Sequence, residues 1–278
     1  MEEFTLSNGV RIPAVGFGTW QIPDGCAAKS AVRMAISSGY THIDGAAAYG
    51  NEKSVGEGIR LSGISREQLF VTSKLWNSER GYEGAKKALD KTLLDLGLDY
   101  LDLYLVHWPA NAKQFKNWKE INMETWRAFV EAYEAGKVRT VGVSNFLPHH
   151  LELFAGEKIR PMVNQMEYHP GCLQQETVDY CKGNNILVEA WSPLGSGRVL
   201  SDERLQEMAD RYGKSVAQVC IQFALQNGVL PLPKSVTPSR IEENLEVFDF
   251  ELAGEDMDTI RSMQEFGGSG LHPDEVDF

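Results

Sequence analysis

The chemistry of this sequence is concentrated in polar residues that follow short apolar runs. Asp44 ends "THID", Lys74 ends "FVTSK", His107 ends "LYLVH", and Tyr49 lies five residues after Asp44. A phenol has an ordinary pKa near ~10, too high for an efficient acid at neutral pH. A cation within ~4–6 Å lowers that pKa. A Tyr–Lys pair steadied by a carboxylate therefore indicates proton donation to a carbonyl oxygen, with His107 donating a hydrogen bond to the substrate.

The lysine that serves Tyr49 has to be identified. Tyr-x-x-x-Lys, used for carbonyl reduction by short-chain dehydrogenases, occurs as Tyr49–Lys53, Tyr82–Lys86 and Tyr133–Lys137. A pattern this frequent carries little weight, and the chain offers only "GFGTWQ" where those enzymes need a longer glycine-rich turn. Lys53 lies among charged residues of one helix, as a solvated side chain would. We therefore predict that Lys74, brought in by the fold, is the partner of Tyr49.

No side chain donates a hydride, so this chemistry requires a reduced cofactor. The last third of the chain has suitable residues: Trp191 at a strand end, "GSG" at 195–197, and Lys234, Ser235 and Arg240 in "PKSVTPSRIEEN". The indole could stack on a flat ring, and a glycine-rich backbone can approach a pyrophosphate. Cations and a hydroxyl at a helix N-terminus suit an additional phosphate. "GSG" alone would be an ordinary turn, and it gains weight only beside the basic cluster.

The elements around these residues alternate between strand and helix patterns. A hairpin signal at Asn8–Gly9 opens the chain, eight strand-then-helix units follow, and "GEDMDTIRSMQEF" adds a last helix. Eight units in roughly 250 residues favour an α/β fold of the (β/α)8 TIM barrel type over an open sheet. We predict one domain over 1–278, with the hairpin covering the N-terminal end of the barrel. The stretch "DERLQEMADRYGKSVAQVCIQFALQNG" is predicted to be one long helix.

The period of two in a strand assigns the inward face of the barrel. Three inward columns follow, and each ends in an ionisable group: Leu101, Leu103, Leu105 and His107; Phe70, Thr72 and Lys74; His42 and Asp44. A lone inward histidine or strand-end lysine is usually structural. An unpaired Lys and Asp buried together would cost several kcal/mol, so the convergence of these groups on one rim indicates a site.

Composition excludes several classes of function. A net charge of -12 argues against a broad nucleic-acid or anionic-membrane surface. The four cysteines show neither C-x-x-C nor a metal-ligand spacing, which predicts a reduced, intracellular protein. The N-terminus resembles no signal peptide, and no apolar run reaches about 18 residues. We expect a soluble, cytoplasmic, monomeric protein with no metal and no nucleic-acid or membrane partner.

Six motifs together resemble those of the aldo-keto reductases, in particular the shorter bacterial-type members such as the 2,5-diketogluconate and glyoxal reductases. These motifs are "GYTHIDGAAAYGNEKSVGEGI", "VHWP", "GVSNF", "VNQMEYHP", "AWSPLGSG" and "PKSVTPSRIEEN", in the family's order from about Gly16 to Asn244. The resemblance implies NADPH-dependent reduction of small aldehydes or ketones to alcohols. It implies Tyr49 as general acid, Lys74 and Asp44 as its tuning pair, and His107 as the group that orients the substrate.

The resemblance also implies which residues bind the cofactor and the substrate. At the nicotinamide end, it places Ser144, Asn145 and Gln165 on the amide and Trp191 on the ring. Near the nicotinamide ribose it places Gly18, Thr19, Trp20 and Asp44, and along the pyrophosphate it places Ser192, Leu194, Ser196 and Gly197. At the other end, it places Lys234, Ser235, Val236 and Arg240 on the 2′-phosphate, with Glu243 and Asn244 near the adenine. Trp20, Trp76 and Trp108, with Tyr49 and His107, would line the substrate pocket. The Lys234/Arg240 pair favours NADPH over NADH.

Two departures and two alternatives accompany this prediction. Gly45 stands where many relatives carry Thr, Ser or Cys, which could loosen the rim, and the chain lacks a long C-terminal loop to narrow the pocket. One alternative function is an accessory module that binds the nucleotide and turns it over slowly. The other is a metal-dependent hydrolase using His42, Asp44, His107 and His169, although the sequence contains no H-x-H.

Overall fold

A β-hairpin opens the chain. The structure is a computed structural model and describes residues 2–278. Strands β1 (Glu3–Thr5) and β2 (Arg11–Pro13) pair antiparallel, with Phe4 opposite Ile12. Leu6 and Ile12 are buried against the barrel interior, next to residues such as Leu103. The predicted hairpin is therefore confirmed, and it covers the end of the barrel opposite to the strands' C-terminal ends.

Eight parallel strands form the wall of the barrel. They are β3 (Phe17–Gly18), β4 (His42–Asp44), β5 (Phe70–Leu75), β6 (Leu101–Val106), β7 (Val138–Ser144), β8 (Val163–Glu167), β9 (Leu187–Trp191) and β10 (Val229–Pro231), each bonded to the next in chain order. The amide of Gly16 donates to Pro231 O at 3.1 Å and that of Gly18 to Pro233 O at 3.0 Å, joining the first strand to the last. The (β/α)8 barrel predicted from the alternation is confirmed.

Glycine is required where the first strand meets the last. A Cβ at Gly16 would lie 2.5 Å from Leu232 Cδ2 and 2.6 Å from His42 Nδ1. Contacts this short do not occur between packed side chains without a shift of one of them. Closure of the barrel therefore requires a residue without a side chain at position 16.

Helices surround the sheet. They are α1 (Cys26–Ser37), α2 (Glu52–Ser62), α3 (Tyr82–Leu96), α4 (Trp118–Glu134), α5 (Pro148–Leu151), α6 (Gln175–Gly183), α7 (Glu203–Tyr212), α8 (Val216–Gln226), α9 (Pro238–Glu243) and α10 (Gly254–Arg261). None of the helices within residues 2–278 is long and apolar enough to cross a membrane. The extra C-terminal helix is present as α10.

The prediction of one long helix over 202–228 is wrong, because the segment divides into α7 and α8. Gly213 adopts a left-handed φ of 62° and ends α7, as glycine commonly does at this position. Ser215 then begins α8, accepting a hydrogen bond from the amide of Gln218, whose side chain bonds back to the Ser215 amide. Both ends of the break therefore carry ordinary helix-terminating residues.

The core has two layers. The larger lies between sheet and helices and includes Trp126, whose indole packs on Phe154 with ring centroids 4.9 Å apart. The smaller fills the barrel and includes Leu103 and Leu105, as predicted. Leu101 was predicted to continue that inward column, but it belongs to the outer layer. The alternation therefore holds toward the C-terminal end of β6, the end that leads to His107.

The segment 266–278 crosses the mouth of the barrel and is fixed at both sides. On one side, Ser269 donates to the Glu167 carboxylate from its amide at 2.9 Å and from its hydroxyl at 2.6 Å. On the other side, the Asn111 side chain donates to Pro273 O and Val276 O, both at 2.9 Å. This path brings Phe278 to the opening, where its ring stacks on Trp76 with centroids 5.8 Å apart.

Candidate functional site

Strands β4 and β5 place an ion pair at the C-terminal end of the barrel. Lys74 Nζ lies 2.9 and 2.7 Å from the two carboxylate oxygens of Asp44, and it also donates to Gly45 O at 2.8 Å. A further contact of 3.2 Å joins Lys74 Nζ to the Tyr49 hydroxyl. Lys53 instead faces Asp95 at 3.8 Å with its side chain 75% exposed. The lysine beside Tyr49 is thus Lys74, which arrives from a different strand.

Burial and the neighbouring charges both shift the pKa values of Tyr49 and Lys74. Burial raises the pKa of Tyr49, the Lys74 charge lowers it, and the Asp44 charge raises it again; the net direction is upward. The expectation that Lys74 brings the phenol's pKa below its ordinary value is therefore wrong for the protein alone, because desolvation of a phenolate outweighs one ammonium that is itself neutralised by a carboxylate. For Lys74, burial lowers the pKa, but Asp44 and Tyr49 raise it by more, so the amine stays protonated.

His107, just beyond the end of β6, faces Tyr49 across the opening with ring centroids 5.8 Å apart. Burial, followed by the charge of Lys74, holds the pKa of His107 well below its ordinary value. The imidazole is consequently neutral at physiological pH and carries a single N–H. Within the described chain its Nδ1 is buried without a hydrogen-bond partner. A neutral imidazole at this place can donate one hydrogen bond without adding positive charge.

Asn145 organises the next part of the rim. It follows β7 in a left-handed conformation, with φ 63°, which asparagine tolerates better than most residues. Its amide nitrogen donates to His107 O at 3.0 Å and to Ser144 Oγ at 3.1 Å, while its oxygen accepts from Trp191 Nε1 at 2.8 Å. The indole of Trp191 is therefore held by its edge, and its face remains available for a planar ring.

Gln165 also lies at the rim and bonds to two carboxyl groups. Its Nε2 donates to Asp44 Oδ1 at 2.9 Å and to Glu189 Oε2 at 2.8 Å. Burial, and then the Asp44 charge, raise the pKa of Glu189 to about 8. Glu189 was not predicted from the sequence, although its inward position in "ILVEAW" follows from the same period of two that identified Asp44 and Lys74.

A cavity of about 1130 Å³ opens over these residues, larger than the ~300–1,000 Å³ that a single small ligand usually occupies. Its walls include every residue predicted for the substrate and most of those predicted for the cofactor: Gly18, Trp20, Asp44, Tyr49, Trp76, His107, Trp108, Asn145, Gln165, Trp191, Ser192, Leu194, Ser196, Gly197, Lys234, Ser235, Val236, Arg240, Glu243 and Asn244.

Two residues predicted to contact the cofactor are not part of that wall. Thr19 is fully buried and donates its hydroxyl hydrogen bond to Asp44 O at 2.8 Å. Ser144 is 1% exposed and its hydroxyl accepts from Asn145. Both are placed to support residues that do line the cavity.

The far arm of the cavity has the features that a dinucleotide phosphate needs. Ser192 and Ser196 both have positive φ, and their hydroxyls lie 3.0 Å apart. Lys234 and Arg240 are exposed, and neither forms an ion pair with any residue that the structure describes. Helix α9 has only six residues, so the positive charge here comes from the two side chains. The region fits a doubly phosphorylated ligand.

Aromatic rings form the near side of the opening. Trp76 and Trp108 both contact the Phe278 ring, at centroid distances of 5.8 and 5.5 Å. Trp20 completes this wall and is 44% exposed. Phe278 was not among the residues predicted from the sequence, where the lack of a long C-terminal loop indicated an unnarrowed pocket. No local signal could have placed it there, because its position depends on the path of the whole segment 266–278.

The residues proposed for a metal-dependent hydrolase are not brought together. His42 lies one layer below the rim, with Nε2 3.0 Å from Thr72 Oγ1, and burial lowers its pKa to about 3. His169 bonds through Nδ1 to Pro170 O at 2.8 Å. Of the described residues, the group with three potential metal ligands close together is His149, His150 and Asp274, away from this cavity.

Gly45 leaves the rim intact. Its carbonyl accepts from Lys74, and its amide donates to Thr72 O at 2.9 Å. A Cβ at this position would lie 3.5 Å from Thr72 O and 3.8 Å from Thr19 Oγ1, which are ordinary contacts. Lys74 therefore keeps a hydrogen bond at this position, and the backbone conformation here does not require glycine.

Comparisons with known proteins agree with this architecture. The Aldo/keto reductase family model matches residues 14–265. The glyoxal reductase of Bacillus subtilis (strain 168) is 48% identical over 274 residues, covering 98% of this chain and 96% of the relative. Among solved structures, the aldo-keto reductase enzyme MGS-M4 from a Medee basin deep-sea metagenome library is 42% identical, with a TM-score of 0.92 and full coverage of both chains. A Bombyx mori aldo-keto reductase in complex with NADP is 35% identical, with a TM-score of 0.85 and coverage of 93% and 91%. The chain belongs to the Aldo/keto reductase family of oxidoreductases.

Proposed function

We propose that this protein is an NADPH-dependent reductase that converts small aldehydes and ketones to alcohols. The observation that carries the proposal is the contact of 3.2 Å between Lys74 Nζ and the Tyr49 hydroxyl, at the floor of a cavity that also contains Trp191. This contact lies beside His107, which can orient a carbonyl oxygen. The complete set of four groups favours turnover over the alternative of an accessory module that only binds the nucleotide.

Tyr49 is the proton donor in this proposal. Its raised pKa keeps the phenol protonated through the neutral range, which is the state a general acid requires. As the carbonyl oxygen takes the proton, charge moves onto the phenolate, and the ammonium of Lys74 stabilises that charge. Asp44 keeps the amine protonated and fixes its direction through both carboxylate oxygens. The lysine thus acts on the charge that develops during the reaction, although it does not lower the resting pKa of Tyr49 below the ordinary value.

His107 positions the substrate. As a neutral imidazole it can donate its N–H to the carbonyl oxygen that faces Tyr49, and it does not compete as a stronger acid. Its backbone amide is fixed to Leu75 O at 3.2 Å, and its carbonyl accepts from Asn145. The ring therefore holds the oxygen within reach of the phenol rather than supplying the proton.

The cofactor is proposed to lie along the cavity from Trp191 to Arg240. When bound, NADPH supplies the hydride that no protein group can provide. Trp191 would stack on the nicotinamide, with Asn145 and Gln165 beside the carboxamide. The turn containing Ser192, Leu194, Ser196 and Gly197 would hold the pyrophosphate, and Gly18 and Trp20 would lie near the ribose. Ser235, Val236, Glu243 and Asn244 would surround the adenosine end.

The choice of NADPH over NADH rests on Lys234 and Arg240. Both cations are exposed at the cavity wall and lack carboxylate partners within residues 2–278. A 2′-phosphate would supply the missing negative charge through charge-assisted hydrogen bonds. The complex of the Bombyx mori aldo-keto reductase with NADP supports the same choice.

The substrate is proposed to be a small carbonyl compound without a negative charge. The near side of the cavity is built from Trp20, Trp76, Trp108 and Phe278. Of the charged side chains that line the cavity, Asp44 is paired with Lys74, and Lys234, Arg240 and Glu243 lie in the arm assigned to the cofactor. Arg198 also lines the cavity, but it donates to Gly267 O and faces the Glu167 carboxylate at 3.8 Å. A carboxylate on the substrate would therefore find no unpaired cation beside Tyr49 and His107, and desolvating it would be costly. The name of the Bacillus subtilis relative, glyoxal reductase, supports an uncharged 2-oxoaldehyde.

The variant Tyr49→Phe tests the proposal. Removing the acid should lower kcat for aldehyde reduction by about 10²–10⁴-fold, the usual contribution of a general acid. The affinity for NADPH should stay within about twofold of the wild-type value. The aromatic ring remains, and the hydroxyl group that is lost accepts only one hydrogen bond within the described chain, from Lys74. NADPH oxidation with an aldehyde and a fluorescence titration of NADPH measure the two effects. Near-wild-type turnover in the variant would show that another group is the acid.

A further inference from the structure

Glu189 is a buried carboxyl group that the proposed reaction does not use. It lies on the inward face of β9, in register with Gln165 of β8 on one side and Leu230 of β10 on the other. Its side chain is 0% exposed, and within the described residues its Oε1 has no hydrogen-bond partner. A buried carboxyl with half of its bonding capacity unused is destabilising, which calls for a functional reason.

The only hydrogen-bond partner that the described chain gives the Glu189 side chain is Gln165. The geometry also fixes the direction of the Gln165 amide. One terminal atom of the Gln165 side chain lies 2.9 Å from Asp44 Oδ1 and 2.8 Å from Glu189 Oε2. Asp44 is ion-paired with Lys74, so an amide oxygen in that place would face a carboxylate and repel it. The atom must be the nitrogen, which then uses one N–H on each carboxyl group. The Gln165 oxygen consequently points away from both carboxyls, and Gln165 lines the cavity.

We propose that Glu189 is a positioning residue that, together with Asp44, holds both N–H groups of Gln165 and so presents the Gln165 oxygen to the carboxamide NH₂ of bound nicotinamide. The inference rests on the proposed use of a nicotinamide cofactor. Asp44 alone would fix one N–H and leave the amide free to rotate about that bond. The second acceptor, on the neighbouring strand β9, removes this freedom.

The charges around Glu189 agree with a neutral acid at physiological pH. Asp44 raises the pKa of Glu189 further after burial has raised it, and Lys74 lowers it. His42, another titratable group inside the barrel, is neutral and bonded to Thr72. With Glu189 protonated, the set of Asp44, Lys74 and Glu189 has no net charge. The carbonyl oxygen of the acid can then accept from Gln165 while adding no anion beside the phenol.

The first test compares the nicotinamide and adenosine halves of the cofactor in the variant Glu189→Leu. Loss of one acceptor for Gln165 should raise the Kd of NADPH by about 5- to 10-fold, the effect of one hydrogen bond. The Kd of 2′,5′-ADP, which lacks nicotinamide, should remain within about twofold of the wild-type value. Equal weakening of both ligands, or of neither, would overturn the proposal. Glu189→Met, with an unbranched side chain, replaces Leu if the first variant does not fold.

A double-mutant cycle tests whether Glu189 acts through Gln165. In a Gln165→Met background the Glu189→Leu change should cause no further loss of NADPH affinity, because the group that it positions is already gone. Additive losses would show that Glu189 acts by some other route and would contradict the inference.

The variant Glu189→Gln keeps an acceptor and is the matched control. NADPH affinity should stay within about twofold of wild type, and a loss as large as that of Glu189→Leu would overturn the proposal.

Stability of the cofactor-free protein gives an independent readout. The unfolded acid ionises near its ordinary pKa of 4.5 and the folded one near about 8, so folding takes up a proton between these values and wild-type stability falls as pH rises through that window.

The amide at position 189 cannot titrate, so the difference in Tm between Glu189→Gln and wild type should grow in favour of the variant from pH 4.5 to about 8 and then level off. A pH-independent difference would show that Glu189 is ionised in the folded protein. Failure of the proposed function would look different, because the wild type itself would then bind neither NADPH nor 2′,5′-ADP.

Discussion

The two ends of the cavity handle charge in opposite ways. At the barrel rim, Lys74 and Asp44 are 0% and 3% exposed and satisfy each other through short contacts. In the arm proposed for phosphate, Lys234 and Arg240 are exposed and have no carboxylate partner in the part of the chain that the structure describes. The rim is therefore assembled before any ligand arrives, whereas the arm gains its counter-charge from the ligand. Substitutions should separate the two ends by whether they change stability as well as activity.

Lys74→Met should have the largest effect. The proton donor loses the cation that stabilises its phenolate, and turnover should fall by at least ~10²-fold. Asp44 is left as a buried charge without its partner, which should lower the free energy of unfolding by about 3–5 kcal/mol at neutral pH. Enzyme assay and denaturant titration measure both quantities.

The double variant Asp44→Asn/Lys74→Met is the control for that prediction. It removes both charges, so much of the lost stability should return while turnover stays low, because the buried anion is gone but the cation is still missing. A Lys74→Met protein as stable as wild type would contradict the description of the rim as a preassembled charge pair.

Lys234→Ala and Arg240→Ala should affect the other end alone. Each would remove one charge-assisted contact to the proposed 2′-phosphate, worth about 1.5–3 kcal/mol, so the Kd of NADPH should rise roughly 10- to 100-fold. The Kd of NADH should change little, and Tm should stay the same, because neither cation pairs with a described residue. Parallel titrations with both nucleotides measure the selectivity. An equal loss for NADH would place these cations outside the 2′-phosphate site.

Gly45→Ser should have the smallest effect. The new Cβ meets Thr72 O at 3.5 Å, and the backbone carbonyl still accepts from Lys74, so kcat/KM should stay within about twofold. Gly16→Ala is the matched control, because its Cβ would lie 2.5 Å from Leu232 Cδ2 and should cost about 1–3 kcal/mol of stability. Steady-state kinetics and thermal unfolding of the two variants distinguish a tolerant rim glycine from an obligatory one. A large loss of turnover in Gly45→Ser would mean that the rim cannot accept a side chain there.

The features that the sequence predicted well are those that depend on local periodicity. Alternation of strand and helix patterns predicted the barrel, and the period of two placed Asp44, Lys74 and His107 on one rim. The division of α7 from α8 was missed because Gly213 interrupts a pattern that remains helical on both sides.

Other features depend on contacts distant in sequence. The net direction of the Tyr49 pKa is a balance between desolvation and two opposite charges, and only the coordinates give that balance. Thr19 and Ser144 match cofactor motifs, yet their side chains turn into the protein. Phe278 reaches the opening because its segment is hydrogen-bonded to Glu167 and Asn111. The residues next to Phe278 in the sequence give no indication of these two contacts.

The segment 266–278 is hydrogen-bonded at two places, to Glu167 on one side of the mouth and to Asn111 on the other. The barrel sets the distance between these two residues, so the path of the segment across the mouth is determined by how many residues lie between Ser269 and Pro273. Adding or deleting a residue there should widen or tighten the entrance while Asp44, Tyr49, Lys74 and His107 stay in place. The width of the entrance should therefore depend on the length of this segment and be adjustable separately from the groups proposed for the chemistry.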